Sequence, residues 1–189
     1  GIIAHCLSYL DNVESVLMLG MCGGIDDGLQ IGELLIPTAS LRDEGTSKHY
    51  LQPNVPAQPA FWINQVCEKV IQKEMGIVPK TGIMLTTDYR MWEFNTEFID
   101  YILKHRILGV DMEIATLFSV AHALNLPMGA IMLVSDLPLK KGGIKSKESS
   151  VEVFQKFTEN HFDIGFKIVE EIKKTRVGED KPNHFNNDL

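Results

Sequence analysis

The chain has 189 residues, 44% hydrophobic and 23% charged, with a formal net charge of −7. That length suits one domain with a real core, and the composition excludes a disordered or fibrous chain. The acidic balance argues against a general nucleic-acid binder while leaving a small anionic substrate open, and no apolar run approaches the roughly 18 residues needed to cross a bilayer.

Taken in order, hydrophobic periodicity gives a legible series of elements. Residues 15–19 (Ser-Val-Leu-Met-Leu) are a short apolar run stopped by Gly20, the pattern of a strand buried on both faces, and Cys22-Gly23-Gly24 follows as a turn. A second strand is expected over residues 32–38, ending near Pro37. Residues 60–75 read as a helix with Ile63, Val66, Cys67, Val70 and Ile71 on one face and Gly76 just past its end. Residues 80–85 form a strand leading into Thr86-Thr87-Asp88, and residues 93–104 are expected to be helical. A short strand over 107–110 runs directly into Asp111-Met112-Glu113. The next helix carries Ile114, Leu117, Phe118, Ala121 and Leu124 on its apolar face and breaks at Pro127. Residues 128–134 are the most apolar strand and end at Ser135-Asp136. A loop rich in Lys and Gly spans 137–147, and a final helix over about 149–174 turns Phe154, Phe157, Ile164, Ile168 and Ile172 inward. Residues 176–189 read as a polar tail.

Alternating strands and helices predict an α/β fold with a mixed, mostly parallel central sheet flanked by helices. Ligands in such folds bind at the carboxyl ends of the strands. Four expected strand ends carry chemically suggestive residues: 20–24, 86–88, 111–113 and 135–136. Each also has a plainer reading. Asp136 could close a turn, or it could be a carboxylic acid at a pocket floor, where partial burial favours the protonated form. Asp111 and Glu113 could complement a helix dipole, or one of them could face a pocket with Met112 beside it. Gly20–Gly24 lacks the endings of a P-loop and the spacing of a dinucleotide fingerprint. Trp92 suits a core as well as a ligand platform. Arg42 and Arg90 could bind an anion or sit in surface ion pairs. Lys140, Lys141, Lys145 and Lys147 suit a solvated loop, or a lid hinged on glycine. Cys6, Cys22 and Cys67 are odd in number and lack metal-ligand spacing, which predicts reduced thiols in the cytoplasm. None of the six histidines is assigned a role, and no secretory signal is read in residues 1–10.

Gly20-x-Cys22-Gly23-Gly24, Gly109-Val110-Asp111-Met112-Glu113-x-Ala115 and Val134-Ser135-Asp136, in this order and spacing, resemble the nucleoside phosphorylase/nucleosidase family. The usual middle motif of that family is Val-Glu-Met-Glu; here Asp111 replaces the first Glu. Leu41-Arg42-Asp43, the run from Thr86 to Glu93, Val110-Asp111-Met112-Glu113-x-Ala115-Thr116 and Ser135-Asp136-x-Pro138-Leu139 look like the AMP nucleosidases of the family. The resemblance runs from about Gly1 to Lys174 and makes residues 1–175 one catalytic domain.

What it implies is hydrolysis of AMP to adenine and ribose 5-phosphate. Asp136 would protonate N7 of the purine, and Glu113 would hold the ribose hydroxyls with Met112 packed against the sugar. Asp111, Ser135, Gly23, Thr87, Asp88 and Trp92 would complete the substrate site, and Arg42, Arg90 and Lys145 are the candidate cations for the 5′-phosphate. The phosphorylases of the family hold inorganic phosphate with an arginine before the Gly-rich stretch and a serine inside it. Met18 and Met21 occupy those places, so water is the expected nucleophile. A methylthioadenosine/adenosylhomocysteine nucleosidase, a purine nucleoside phosphorylase and an inactive nucleotide-binding subunit remain the alternatives. The resemblance further implies a homo-oligomer, dimer or hexamer, without cofactor, nucleic-acid or membrane partner. The chain opens Gly-Ile-Ile-Ala with no initiator methionine, and against the family pattern it reads as lacking an N-terminal strand-helix-strand unit.

Overall fold

The computed structural model describes residues 2–144 and 147–177. Five strands, β1 (Val16–Gly24), β2 (Leu34–Asp43), β3 (Lys80–Thr87), β4 (Gly109–Asp111) and β5 (Met128–Asp136), close into a barrel in the order β1-β4-β3-β2-β5. The helices are α1 (Ile2–Leu7), α2 (Phe61–Met75), α3 (Thr96–Lys104), α4 (Ile114–Ala123) and α5 (Lys147–Val177). Short 3-10 turns occupy Thr46–His49 and Trp92–Phe94.

An α/β fold with a mixed sheet is present, but its form differs from a mostly parallel sheet covered by helices. The pairs β1/β5, β2/β3 and β3/β4 are parallel, whereas β1/β4 and β2/β5 are antiparallel. β1 and β5 therefore run against β2, β3 and β4, and two short antiparallel contacts stitch the two groups into a closed surface. One of these joins Gly23 to Val110 and Gly24 to Gly109. The other joins Leu34 to Leu133 and Leu35 to Met132. Closure removes the unpaired edges that an open sheet would expose.

The period of two along each strand separates two cores. On β5, Ala130, Met132 and Val134 pack with Leu35, Met84 and Phe118 of α4, while Ile131 and Leu133 pack with Leu34, Ile36 and the inner faces of α2 and α5. A third cluster, Leu85, Val110, Ile102, Ile107 and Trp92, lies under α3. The run over β5 is thus apolar throughout because both of its faces are covered. Helix α2 buries Ile63, Val66, Cys67, Val70 and Ile71, as its 3.6-residue spacing requires. It ends at Gly76, whose φ of 66° lets its N–H reach the Gln72 carbonyl at 3.0 Å.

Four local expectations change. Cys22-Gly23-Gly24 is strand rather than turn, because the tip of β1 continues into its pairing with β4. Pro37 lies inside β2, at a bulge where the register with β3 shifts, the place where a strand tolerates a residue without an N–H. The helix expected from residue 93 begins at Thr96, because the Asn95 side chain caps it by accepting from the Phe98 amide. Phe154 is 61% exposed. The inward stripe of α5 runs through Val153, Phe157, His161, Ile164, Ile168 and Ile172, and Phe154 sits one residue, about 100°, off it. Residues 176 and 177 of the expected polar tail still belong to α5, and the rest of it lies outside the described residues.

The contact between α2 and β5 is close enough to predict its sensitivity. A Cβ at Gly129 would stand 2.3 Å from the Ile63 Cγ2, and Ile63 is wholly buried. Gly129→Ala should destabilise the fold by about 1–3 kcal/mol through overpacking, seen in thermal denaturation as a loss of about 2–4 °C per kcal/mol. Gly76→Ala meets nothing within 4 Å and should cost only the positive-φ penalty, about 1 kcal/mol. Equal effects from the two substitutions would contradict this packing.

Candidate active site

Barrel closure, rather than a common strand direction, is what brings the four expected strand ends together. A cavity of ≈ 240 Å³ is lined by Met21, Cys22 and Gly23 of β1, Thr87 of β3, Asp111 at the end of β4 with Met112 and Glu113 after it, and Ser135 and Asp136 of β5. Tyr89, Arg90, Trp92 and Glu93, from the segment after β3, and Pro138, after β5, complete its walls.

At the end of β5, the Ser135 hydroxyl donates to Asp136 Oδ1 at 2.6 Å, with the Cys22 carbonyl at 3.3 Å as a weaker second acceptor. Ser135 is 3% exposed, so this hydroxyl is a buried support for the carboxyl rather than a group facing solvent. Gly23 borders the same carboxyl. A Cβ there would lie 3.5 Å from Asp136 Oδ2 and 3.2 Å from Pro138 Cγ, so glycine keeps this wall of the cavity open.

At the start of α4, the two acids of Asp111-Met112-Glu113 divide their work. Asp111 is buried and its Oδ2 accepts from the amides of Glu113, at 3.0 Å, and Ile114, at 2.6 Å. Its Oδ1 accepts from the Thr86 hydroxyl at 2.6 Å. Burial pushes the Asp111 carboxyl up to about 6, against the opposing pull of the Thr86 hydroxyl and the Ile114 and Glu113 amides, with the Glu113 charge adding slightly to the rise. With both oxygens engaged by the fold, Asp111 is the acid that caps the helix. Met112 and Glu113 are the exposed members of the motif and face the cavity.

Several of the expected ligand residues are placed elsewhere or are already committed. Arg42 does not line the cavity. Its Nε donates to the Ser47 hydroxyl, Nη1 to the carbonyls of Gln52 and Val55, and Nη2 to those of Ser47 and Leu51. All five N–H groups of a guanidinium are used in this way, so Arg42 fastens the loop after β2 and has none left for a phosphate. Beside it, Glu44 is 4% exposed. Burial raises its pKa, but hydrogen bonds from Ser47, Thr116 and the Thr46 amide outweigh that and hold it below the usual carboxylate range. Asp88 is exposed and outside the cavity wall. Thr87 lines the wall, but its hydroxyl donates to Asp43 Oδ2 at 2.7 Å and accepts from the Tyr89 amide. Lys145 lies outside the described residues. The loop expected as a glycine-hinged lid begins as a closed turn: the Leu137 amide donates to the Gly143 carbonyl, a Cβ at Gly143 would run into the Leu137 carbonyl, and Lys140 Nζ reaches the Leu29 carbonyl.

Arg90 is the one cation that lines the cavity among the described residues. Its side chain is 62% exposed and contacts Glu93 Oε1 at 3.3 Å, while that of Glu93 is only 7% exposed. Glu93 is the acid missing from the sequence-based site, although its i, i+3 spacing from Arg90 was a visible signal. Trp92 is both core and wall, 5% exposed and packed against Phe98. Among the described residues, no group of three or more His, Cys, Asp or Glu is arranged to hold a metal ion, and no helix is long and apolar enough to cross a membrane. Cys22 and Cys67 are buried, and burial pushes the Cys67 thiol up to about 12.

The fold as a whole is similar to that of solved structures. The crystal structure of AMP nucleosidase from Bacteroides thetaiotaomicron VPI-5482 is similar with a TM-score of 0.79 and 33% identity, over 94% of this chain and 68% of that one. AMP nucleosidase of Escherichia coli (strain K12) is 28% identical over 166 residues, which are 83% of this chain and 34% of that protein. The chain thus spans about a third of the length of that relative. Guanosine phosphorylase of Halorubrum lacusprofundi is 29% identical over 153 residues, 78% of this chain and 60% of that protein. Residues 2–172 match the Phosphorylase superfamily, and the chain belongs to it.

Proposed function

We propose that this chain forms the base and ribose side of a site that hydrolyses the N-glycosidic bond of AMP to adenine and ribose 5-phosphate. The observation that carries the reading is that Asp136, braced by Ser135, and Glu113, presented by the first turn of α4, face one cavity with Met112 and the bare backbone of Gly23. In this reading the protonated Asp136 carboxyl gives its proton to purine N7. The C1′–N9 bond breaks with its electron pair passing to the base. Glu113 accepts hydrogen bonds from the ribose hydroxyls, and its negative charge stabilises the positive charge that develops on the sugar. Water attacks C1′, and the proton it releases restores the Asp136 carboxyl. The thioether of Met112 offers an apolar surface to the sugar face.

Hydrolysis is favoured over phosphorolysis by Met21, which lines the cavity where a phosphate-binding serine would be expected from the family resemblance, and by Met18, which stands where the arginine would be expected and packs, partly buried, against the core. A thioether donates no hydrogen bond to an anion. A nucleotide substrate is supported by the similarity to AMP nucleosidases and by Arg90, whose exposed guanidinium stands at the wall of the cavity. A homo-oligomer in the cytoplasm completes the reading.

Incubating the protein with AMP, adenosine and methylthioadenosine, each with and without inorganic phosphate, should release adenine from AMP alone and independently of phosphate. Phosphate-dependent release would replace this reading with a phosphorylase, and preference for methylthioadenosine with a nucleosidase for uncharged 5′ groups. Measurable AMP binding with no release from any substrate would indicate a nucleotide-binding subunit. Arg90→Ala should raise the KM for AMP by about tenfold or more, the scale of one charge-assisted hydrogen bond, with little change in kcat. An unchanged KM would remove Arg90 from the phosphate site.

A further inference from the structure

Thr86 carries no role in the reading above, yet its hydroxyl is the point where four elements meet. It is 0% exposed. Its Oγ1 donates to Asp111 Oδ1 at 2.6 Å, at the end of β4, and accepts from the Ala115 amide at 2.9 Å, in the first turn of α4. Ser40 Oγ of β2 lies 2.9 Å away. The single Thr86 proton is committed to the Asp111 carboxylate, so Ser40 is the donor in that contact. Asp111 in turn accepts from the amides of Glu113 and Ile114. The amides of residues 113, 114 and 115, all in the unpaired first turn of α4, are therefore satisfied by two side chains, and one of the two holds the other.

We propose that Thr86 is a positioning residue: its hydroxyl fixes Asp111 and the first turn of α4 together, and so sets where Glu113 stands in the cavity. The proposal rests on the reading that Glu113 holds the sugar, and its geometry has a specific chemical consequence. Asp111 meets three donors, and ionised it is an acceptor only, so protonation would put a fourth donor among them and weaken these bonds. The Thr86 hydroxyl is the first of the bonds that favour the ionised form, in a site where burial favours the neutral one. The groups facing Asp111 are Glu113 on the same turn, with Asp136 of β5, the Cys22 thiol of β1 and the Arg90–Glu93 pair around the same cavity. Asp43, at the end of β2, and Glu44, just after it, are engaged by Thr87 and Ser47. Arg90 is engaged with Glu93, and hydrogen bonds from Thr86 and the backbone are what offset the burial of Asp111.

The test uses the whole chain with Thr86→Val, which keeps the shape and deletes the hydroxyl, and Thr86→Ser, which restores it. Turnover is followed against pH on the substrate the wild type cleaves, and the Asp111 and Glu113 carboxyl carbons are titrated by NMR. In the wild type an acid limb is expected near the Asp111 value of about 6. Thr86→Val should lower kcat/KM by about 10- to 100-fold, the scale of a misplaced site group. It should also move the acid limb and the Asp111 titration to higher pH, and Thr86→Ser should reverse both. Activity lost by the same factor at every pH, with the limb and the titration in place, would mean that Thr86 is only structural and would overturn the proposal, as would an unchanged profile.

Asp111→Asn is the second variant, able to fold with its amide turned to Thr86 and its oxygen to the helix. It should remove the acid limb near 6, and a limb that survives would break the link. If the wild type cleaves neither AMP nor a nucleoside, the proposed reaction fails and the NMR titration decides this question alone. An upward Asp111 shift together with a displaced Glu113 signal in Thr86→Val would support the positioning role, and no change in either would end it.

Discussion

The short antiparallel contact between the tips of β1 and β4 is the constraint on which this site depends. Gly23 and Gly24 lie opposite Val110 and Gly109 there, and a side chain at Gly109 would meet the Gly23 carbonyl at 3.1 Å and Met84 Cε at 2.9 Å. Glycine at 109 is what allows the backbones to approach closely enough to close the barrel. Because they do, the last residues of β1 and β5 meet those of β3 and β4 although the two pairs of strands run in opposite directions. The carboxyls of Asp111, Glu113 and Asp136 share one cavity as a result of that closure, with the Gly-rich tip of β1 as its wall rather than as a phosphate-binding loop.

The electrostatics of the cavity follow from the same convergence. Asp111, Glu113, Asp136 and Glu93 line it, and Arg90 is the one cation among the described lining residues. Such a wall disfavours an anion and favours positive charge developing on a bound group. For the proposed hydrolysis, that wall suits a sugar passing toward an oxocarbenium ion better than it would suit inorganic phosphate as a co-substrate. In the proposed reading, the demand for a 5′-phosphate contact falls on Arg90, because Arg42 has spent its N–H groups on five acceptors of its own loop. The pairing of Arg90 with the nearly buried Glu93 means that any phosphate must compete with a carboxylate already in place.

Much of this was legible in the sequence wherever local pattern sets local structure. The apolar face of α2, its Gly76 end and the fully apolar β5 all follow from periodicity and turn chemistry. The strand-end acids at 111, 113 and 136 were visible as polar residues following strands too apolar to be exposed. What escaped was decided by distant contacts. Nothing local distinguishes the Gly-rich turn expected at 22–24 from a strand tip, because the difference lies in its pairing with residues 109–110. Arg42 reads as a free cation until the loop at 47–55 folds around it. Thr86 was indistinguishable from Thr87 and Asp88, since the alternation that sends Thr86 to Asp111 and Thr87 to Asp43 depends on the register of β3 with β2 and β4. Phe154 differs from Val153 by about 100° of helix phase, a displacement that boundary uncertainty alone can hide.

Asp111 shows how the site and the fold pull against each other. An unfolded aspartate titrates near about 3.9, and in this fold Asp111 titrates near about 6. Across that window the folded chain binds more protons than the unfolded one, so this residue makes stability fall as pH rises. By neutral pH the ionised carboxylate costs about 3 kcal/mol relative to a group that stayed at its unfolded value. An apolar residue of similar size would avoid that cost, but would strand the amides of Glu113 and Ile114 and the hydroxyl of Thr86 in a buried place, each with its own desolvation penalty. A two-oxygen acceptor is the side chain that satisfies donors arriving from β3 on one side and from α4 on the other. The charge is therefore the consequence of a geometric need. The hydroxyl of Thr86 and the two amides keep that charge within the reach of neutral pH, where the exposed Glu113 beside it is free to act on the cavity.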